Sequence, residues 1–574
     1  MEPVKGRRWQ LRDSEPSLAE VNFLSEKLAI QPLTARALLL RGICTAEQGQ
    51  EFIHARLGTL PDPSLLPDMA IACSRLEQAL VRREKIAVHG DYDVDGITGC
   101  TLLVETLRQL GGQVEYHIPL RMKDGYGLSA DAIRQAKDNG CQLIVSVDCG
   151  VTAHAEADLV SELGLDLIIT DHHQPPDELP ICLALVNPHL PGSRFPWTEL
   201  SGVGVAFFLL VGLRRRLREN GYFNHHPEPD LRQGLDLVAL GTIADIVPLS
   251  GVNRILVRAG LQLLQQGTRP GMAALKKVAD VNQVTCGAVG FRLAPRLNAA
   301  GRLEDAALGV KLLLGDDLQE VQELAELLDS FNRDRQQIEQ QTLEQAISRL
   351  SELEKKERYS IVLADPRWHS GVIGIVASRL VERYHRPTVM ISLEKEQGKG
   401  SCRSISNFNL YRALQQCAEP LFGFGGHAMA AGLSLSVEKL EVFTELFEQV
   451  ARRELTAEDL VPKISHDGQC RLSDLSMRQV AELETLQPFG AGNPQPAFYA
   501  ENCSVIAPRI LGEKHLKFDV ERDNLQLGCI AFGMAERFEE LSDEVDLLFR
   551  PGINRWRGQS SVQLQVVDFR RANR

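Results

Sequence analysis

The chain has 574 residues, with 63 Lys plus Arg against 76 Asp plus Glu, a formal net charge of −13 and 12 cysteines in no C-x-x-C pair. The length excludes one core, since single cores stop growing near about 250–300 residues, and the scattered cysteines exclude a disulfide framework or a structural zinc site. The acid excess excludes a protein coated in positive charge for duplex DNA, so any nucleic acid has to be met in a local basic groove.

Residues 1–79 read as a helical N-terminal extension packed on the first domain. Leu18 to Leu40 carries apolar residues at helical spacing, and Leu60-Pro61-Asp62-Pro63 ends the pattern. No apolar run follows the N-terminal charges, and the longest apolar stretch, Val203 to Leu213, is too short to span a bilayer. With reduced cysteines, this predicts a cytoplasmic protein.

Residues 80–315 read as an α/β domain. Strands near 86–90, 113–118, 143–148 and 166–170 alternate with helical segments, which predicts a parallel sheet with right-handed crossovers. Val88 to Gly99 reads V-H-G-D-Y-D-V-D-G-I-T-G and places Asp91, Asp93 and Asp95 within five residues, behind His89. Carboxylates this close repel one another unless a cation sits among them. A calcium loop of the EF-hand kind is excluded: the twelfth residue from Asp91 is Leu102, not Glu, and a strand rather than a helix precedes it. A solvated acidic turn is the bland alternative. Two more apolar runs weigh against it, one ending at Asp148 and one at Asp171-His172-His173. Ligand sites of open α/β sheets lie beyond the carboxyl ends of such strands, so the three segments converge on a divalent metal site.

The loop Arg121 to Gly127 reads equally as a phosphate contact or a plain surface loop. Asp245, after a helical stretch, reads by itself as a cap. Arg292, Arg296 and Arg302 flank Asn298 and Gly301; they suit phosphate, or an internal salt-bridge cluster. Residues 316–357 read as one long connecting helix without a clean heptad seam, hence a monomer.

Residues 358–457 read as a second, smaller α/β domain. His369-Ser370, the amphipathic helix bearing Arg379, the stretch Gly398 to Ser404 with Arg403, and Gly425-Gly426-His427 form a candidate phosphate face, with glycine turns at helix N-termini presenting N–H groups. Residues 458–574 read as β-rich, with short runs near 502–508, 515–521, 525–531, 545–550 and 561–569. Lys514, His515, Lys517 and the Arg555-Trp556-Arg557 loop are candidates for stacking and phosphate contacts.

The motifs H-G-D-Y-D-V-D-G, V-D-C-G, D-H-H and A-D-I-V-P-L resemble, in order, those of the DHH phosphoesterase superfamily. Downstream, R-L-N-A-A-G-R-L, H-S-G-V-I-G-I-V-A-S-R-L and G-G-H-A-M-A-A-G are similar to the RecJ-type exonucleases. Cys402 stands where that group more often has Gly. The resemblance implies a DHH domain, a DHHA1 domain and a C-terminal OB-type barrel. It implies two divalent ions, Mn²⁺ or Mg²⁺, held by Asp91, Asp93, Asp95, Asp148, His172 and Asp245, with Asp148 shared. His89 and His173 would complete the catalytic set, His173 facing the scissile phosphate. Paired metals about 3.5–4 Å apart activate water and neutralise phosphate, and no residue offers a covalent nucleophile. The implied reaction is hydrolysis of single-stranded DNA from the 5′ end to mononucleotides, in recombination and repair, alongside a single-strand-binding protein and a helicase. The alternatives are a small-substrate phosphoesterase, disfavoured by the extra β-rich segment, and an inactive scaffold, disfavoured because every ligand position is filled.

Overall fold

Five strands run parallel in one sheet, in the order Gln113–His117, Lys85–Gly90, Cys141–Val147, Asp166–Thr170, Ala184–Val186. The computed structural model describes residues 6–121, 125–352, 358–556 and 558–572. Its two units are Leu11–Leu327 with Ser465–Arg574, and Met1–Gln10 with Leu328–Ile464.

The sheet's central strands are apolar because helices cover both faces: Ile86, Val88, Leu143, Ile144, Val145, Leu167, Ile168 and Ile169 are all buried. Full burial of such a side chain stabilises by about 1.5–3 kcal/mol. Strand order reverses between Lys85–Gly90 and Cys141–Val147, since the chain goes from the first to an outer strand before returning. A crevice opens at the carboxyl ends of the strands flanking such a switch point.

In the same unit, a closed barrel is formed by Phe498–Leu511, His515–Arg522, Leu525–Ala531, Gln559–Arg571 and Glu544–Trp556. The expectation that the N-terminal extension packs on the first domain is corrected. Helices Leu18–Leu28 and Pro32–Leu39 share a core with the barrel instead, with Leu24 and Leu38 against Phe498, Phe549 and Leu564. The rest of the extension does meet the first domain: Arg254 lies 3.8 Å over the Phe52 ring and donates to its carbonyl, and the helix Met69–Arg82 packs against Gly202–Glu219. The helix Met477–Glu484 stands between, touching both Pro32–Leu39 and the barrel strand Glu544–Trp556; the apolar face of an amphipathic helix does not record its partner.

The other unit is built on a mixed sheet ordered Leu421–Gly426, Ala430–Ser436, Gln397–Arg403, Thr388–Glu394, Ile361–Asp365. Two of the expected glycine turns are strands: Gln397–Arg403 and Leu421–Gly426 both pair with Ala430–Ser436. At Gly398 and Gly400 neighbouring side chains fill the space a Cβ would take, Leu433 beside Gly400, whereas Gly425 faces open space. Cys402 points into the core with Val389 and Phe447. A helix Leu318–Glu352 of 35 residues occupies most of the expected stretch 316–357, of which 353–357 lie outside the described residues, and its Ala346 and Leu350 pack with Ile361 and Trp368. No helix among the described residues is long and apolar enough to cross a membrane.

Candidate metal centre

The acid cluster begins where the strand Lys85–Gly90 hands over to the helix Val94–Gln109. Asp93 caps that helix by accepting from the Asp95 and Gly96 amides, at 2.9 and 3.1 Å. Asp95, one residue into the helix, turns to the N-terminus of another helix, Gly202–Glu219, and accepts from Gly202 and Val203 at 2.6 and 2.9 Å. A helix N-terminus suits a carboxylate, since its first N–H groups lack partners and its dipole is positive there. Asp148 follows its strand in a left-handed conformation, φ +63°. Gly202 is required beside it: a Cβ there would lie 2.5 Å from the Cβ of Asp148. Asp245 caps the helix Leu235–Ala244, and Ile246 after it is also left-handed, φ +64°, an unfavourable place for a β-branched residue.

Three sets of side chains place ligand atoms within 4.8 Å of one another: Asp91, Asp93 and Asp148; Asp95, His172 and Asp245; Asp148, His172 and His173. Asp148 thus belongs to two sets, and His172 Nε2 lies 3.0 Å from its Oδ1 and 3.6 Å from Asp245 Oδ2. Asp91 Oδ1, Asp148 Oδ1 and His172 Nε2 are buried, yet none has a hydrogen bond of acceptable geometry among the described residues. Buried polar atoms are rarely left so. Oxygen and imidazole donors turned toward a common centre fit a divalent cation of the Mg²⁺ or Mn²⁺ kind.

The electrostatics agree. Burial, then the charge of Asp93, pushes the Asp91 carboxyl up to about 8 and Asp95 up to about 7. Burial, then Asp95 and Asp93, pushes Asp245 up to about 9, and the same causes hold Asp148 well above the carboxylate range. Burial, then His173, brings His172 down to about 4, so it stands neutral with a lone pair to offer. Metal binding here has to displace protons.

His173 is set differently. Its Nδ1 lies 2.7 Å from Asp171 Oδ1, and the Tyr126 hydroxyl is 3.2 Å away. Asp171 also accepts from the Val151, His172 and His173 amides. Burial opposes the charge on both partners, but their mutual bond wins, so His173 is raised and Asp171 lowered. Tyr126 further donates to the Asp148 carbonyl at 2.9 Å and meets Tyr92 edge-on, while the Arg121 guanidinium covers Tyr92 at 4.9 Å. Arg121, Tyr92, Tyr126 and Asp171 are absent from the ligand set read from the sequence. Their signals were the D-H-H triplet itself and the loop Arg121 to Gly127, of which residues 122–124 lie outside the described residues.

His89 is not brought to the cluster. Strand alternation puts it on the face of Ala87, where its ring lies 5.3 Å from that of His117 beside a cavity of about 140 Å³. Burial, then His117, brings it down to about 3.

Of the arginines, Arg302 comes close. The helix Ala294–Leu303 lays Gly301 against the Tyr92 carbonyl, and the Arg302 charge acts on the Tyr92 phenol. Arg292 is tied to Asp280 and the Ala279 carbonyl, and Arg296 bonds to the Arg292 carbonyl.

On the barrel, Arg509 and Lys517 stand directly opposite across two paired strands. Like charges so placed cost free energy unless an anion lies over them. Phe532, 55% exposed, meets His515 edge-on at 5.3 Å. Lys514 begins the same hairpin, and Ala535 donates to its carbonyl. Neither Arg509 nor Phe532 stood out in the sequence: Arg509 lies in an otherwise ordinary strand, and Phe532 in the turn that follows Leu525–Ala531. Arg555 bonds Glu484 near the tip of a hairpin in which Trp556 pairs with Gln559. The expected loop is therefore a strand end; the Trp556 side chain and Arg557 lie outside the described residues.

In the second unit, His369 and Ser370 precede the helix Ile373–Tyr384, and Arg403 bonds Ser401 Oγ beside Gly374 of that helix. These three candidates converge. Arg379 instead pairs with Glu339 of the long helix, Gly425 and Gly426 end the exposed outer strand, and His427 lies in the turn after it, its N–H donating to the Ala430 carbonyl.

Family models match three stretches: the DHH family N-terminal domain over residues 85–242, the DHHA1 domain over 356–453 and the RecJ OB domain over 466–568. A single-stranded-DNA-specific exonuclease RecJ of Bacillus subtilis is 39% identical over 98% of this chain and 70% of its own length. The one of Escherichia coli is 38% identical over 94% of this chain and 96% of its own. A crystal structure of RecJ in complex with Mn²⁺ from Thermus thermophilus aligns with a TM-score of 0.84 at 33% identity, over 99% of this chain and 80% of that one. These findings bear out the resemblance carried by the motifs.

Proposed function

The chain belongs to the RecJ family of single-stranded-DNA-specific exonucleases, and from that premise we propose that it hydrolyses single-stranded DNA from the 5′ end to 5′-mononucleotides with two divalent ions, Mn²⁺ or Mg²⁺. One observation carries the reading: the three ligand sets are chained through two shared residues, Asp148 and His172, and a buried ligand atom of each lacks a hydrogen-bond partner among the described residues. Asp91, Asp93 and Asp148 would hold one ion, and Asp95, His172 and Asp245 the other. Bound there, the ions supply an activated water and offset the charge of the phosphate.

The chain's own residues do the rest. Asp171 fixes the ring of His173 through Nδ1, leaving Nε2 to donate to a phosphate oxygen. Tyr126 and Tyr92 wall the site on that side, and Arg121 and Arg302 bring positive charge to it. Arg509, Lys517, His515 and Phe532 on the barrel offer cations and aromatic faces, which hold single strands without reading sequence. His369, Ser370 and Arg403 offer a further phosphate contact. Action as a cytoplasmic monomer in recombination and repair, with a single-strand-binding protein and a helicase, rests on family membership together with the unpaired cysteines.

The test is digestion of a long single strand labelled at either end, in Mn²⁺. Wild type is expected to release 5′-labelled mononucleotide at once, and Asp148→Ala none. Cleavage confined to dinucleotides would replace this reading with a small-substrate phosphoesterase.

A further inference from the structure

The backbone that follows Asp245 is held on one side by its own domain and on the other by the segment leading into the barrel. Ile246 is left-handed and 74% exposed, so it contributes little packing of its own. Two fixed points follow: the Pro248 carbonyl accepts from the buried Asn253 amide at 3.1 Å, and the Leu249 N–H donates to the Ala491 carbonyl at 2.7 Å. Ala491 sits in the loop Pro488 to Pro494, which leads into the barrel. The two segments touch with no room to spare: a Cβ on Gly490 would lie 2.6 Å from Leu249 Cδ1, and one on Gly492 2.8 Å from Pro248 Cβ.

The loop itself is rigidly rooted. Gly490 and Asn493 exchange backbone bonds, and the buried Asn493 amide donates to the Leu486 and Pro488 carbonyls. Arg41 joins Asn493 Oδ1 to Asp467, and Asp467 accepts from Ala497 at the start of the first barrel strand. From the opposite side, Arg254 donates to the Leu486 and Thr485 carbonyls. A continuous set of buried bonds therefore runs from the barrel to within four residues of Asp245.

We propose that the loop Pro488 to Pro494 is a positioning element for Asp245, so that the seating of the barrel sets divalent-metal affinity at the acid centre. This rests on the reading of Asp245 as a metal ligand. Groups that orient a ligand from outside the first shell commonly change metal affinity by about 10–100-fold when altered. By linkage, whatever shifts the loop shifts metal binding, and metal binding shifts the loop equally.

Gly490→Ala is the direct test, because Gly490 has no left-handed φ and the new methyl meets only Leu249. Mn²⁺ alone is titrated into the metal-free full-length protein, with free Mn²⁺ read by electron paramagnetic resonance. Wild-type binding checks the metal reading itself. Gly490→Ala is expected to weaken Mn²⁺ about tenfold, with unchanged affinity for single-stranded DNA in the absence of divalent ions. Its kcat should fall at limiting Mn²⁺ and recover at saturating Mn²⁺, with KM for the strand unmoved. Leu249→Ala loosens the same contact without touching the loop and is a second route to the same loss; the two changes together should be less than additive. Gly552→Ala, in a barrel strand with nothing within 4 Å, is the control expected to leave Mn²⁺ affinity alone. Wild-type Mn²⁺ affinity in both Gly490→Ala and Leu249→Ala overturns the proposal, as does an equal loss in Gly552→Ala. No Mn²⁺ binding by wild type overturns the metal reading and this inference with it.

Discussion

At the acid centre, charges of one sign are buried together; on the barrel, charges of the other sign stand in water. Asp148 is 2% exposed among neighbours that repel it, whereas Arg509, Lys517 and Phe532 occupy the outer surface of a closed barrel whose core is complete without them. The first arrangement is costly and has to be held by fixed backbone, helix termini and a tight glycine. The second costs little, and salt weakens it. Catalysis needs the former, because ligands must be placed to a fraction of an ångström. Retention of a moving strand is served by the latter.

The largest test of this contrast is Asp148→Ala. It is expected to lower turnover by more than about a thousandfold while the strand still binds, measured by gel digestion and by fluorescence anisotropy without divalent ions. Loss of strand binding as well would merge the two regions. Asp171→Asn keeps the backbone acceptor but weakens the hold on His173. A fall of about 10–100-fold in kcat, with strand affinity intact, is the expected outcome of steady-state kinetics. On the barrel, Phe532→Ala is expected to weaken long-strand binding about tenfold and to leave dinucleotide hydrolysis unchanged. Lys517→Ala should reduce the slope of log affinity against log salt by about 0.7.

The smallest effect is thermal. Asp91, Asp95 and Asp245 are raised to about 8, 7 and 9 in the folded chain, by burial first and neighbouring carboxylates second. Unfolded, each titrates near about 4. Between those values the folded state holds the extra protons, so stability falls as pH rises through this window. The metal-free protein should therefore melt lower at pH 9 than at pH 6, and saturating Mn²⁺ should flatten that trend. A scanning-calorimetry series with and without Mn²⁺ checks it; equal melting temperatures across the range would show that the carboxylates are already compensated.

Much of the centre was legible because it is local. Asp91, Asp93 and Asp95 lie within one strand-to-helix turn, and Asp148 and His172 each end an apolar run, so strand direction alone brings them together. Asp245 was not legible by itself, because a carboxylate after a helical stretch reads as a cap, which it also is. His89 misled for a converse reason. It stands beside the acid triplet in sequence, but period-two alternation turns it to the face of Ala87, next to His117. The glycine stretches of the second sheet looked like turns because a strand made of small residues carries no apolar alternation of its own; its pairing with Ala430–Ser436 supplies the order.

The sequence by itself determined the parallel sheet, the acid triplet and the five runs of the barrel, since each depends on contacts between near neighbours or on a short periodic pattern. Tertiary structure alone decided that the N-terminal helices share a core with the barrel, that Arg509 faces Lys517, and that Ala491 bonds Leu249 four residues from Asp245. Each of those joins segments far apart in the chain. A residue's type limits what it can touch, but only the closed fold decides which distant surface meets it.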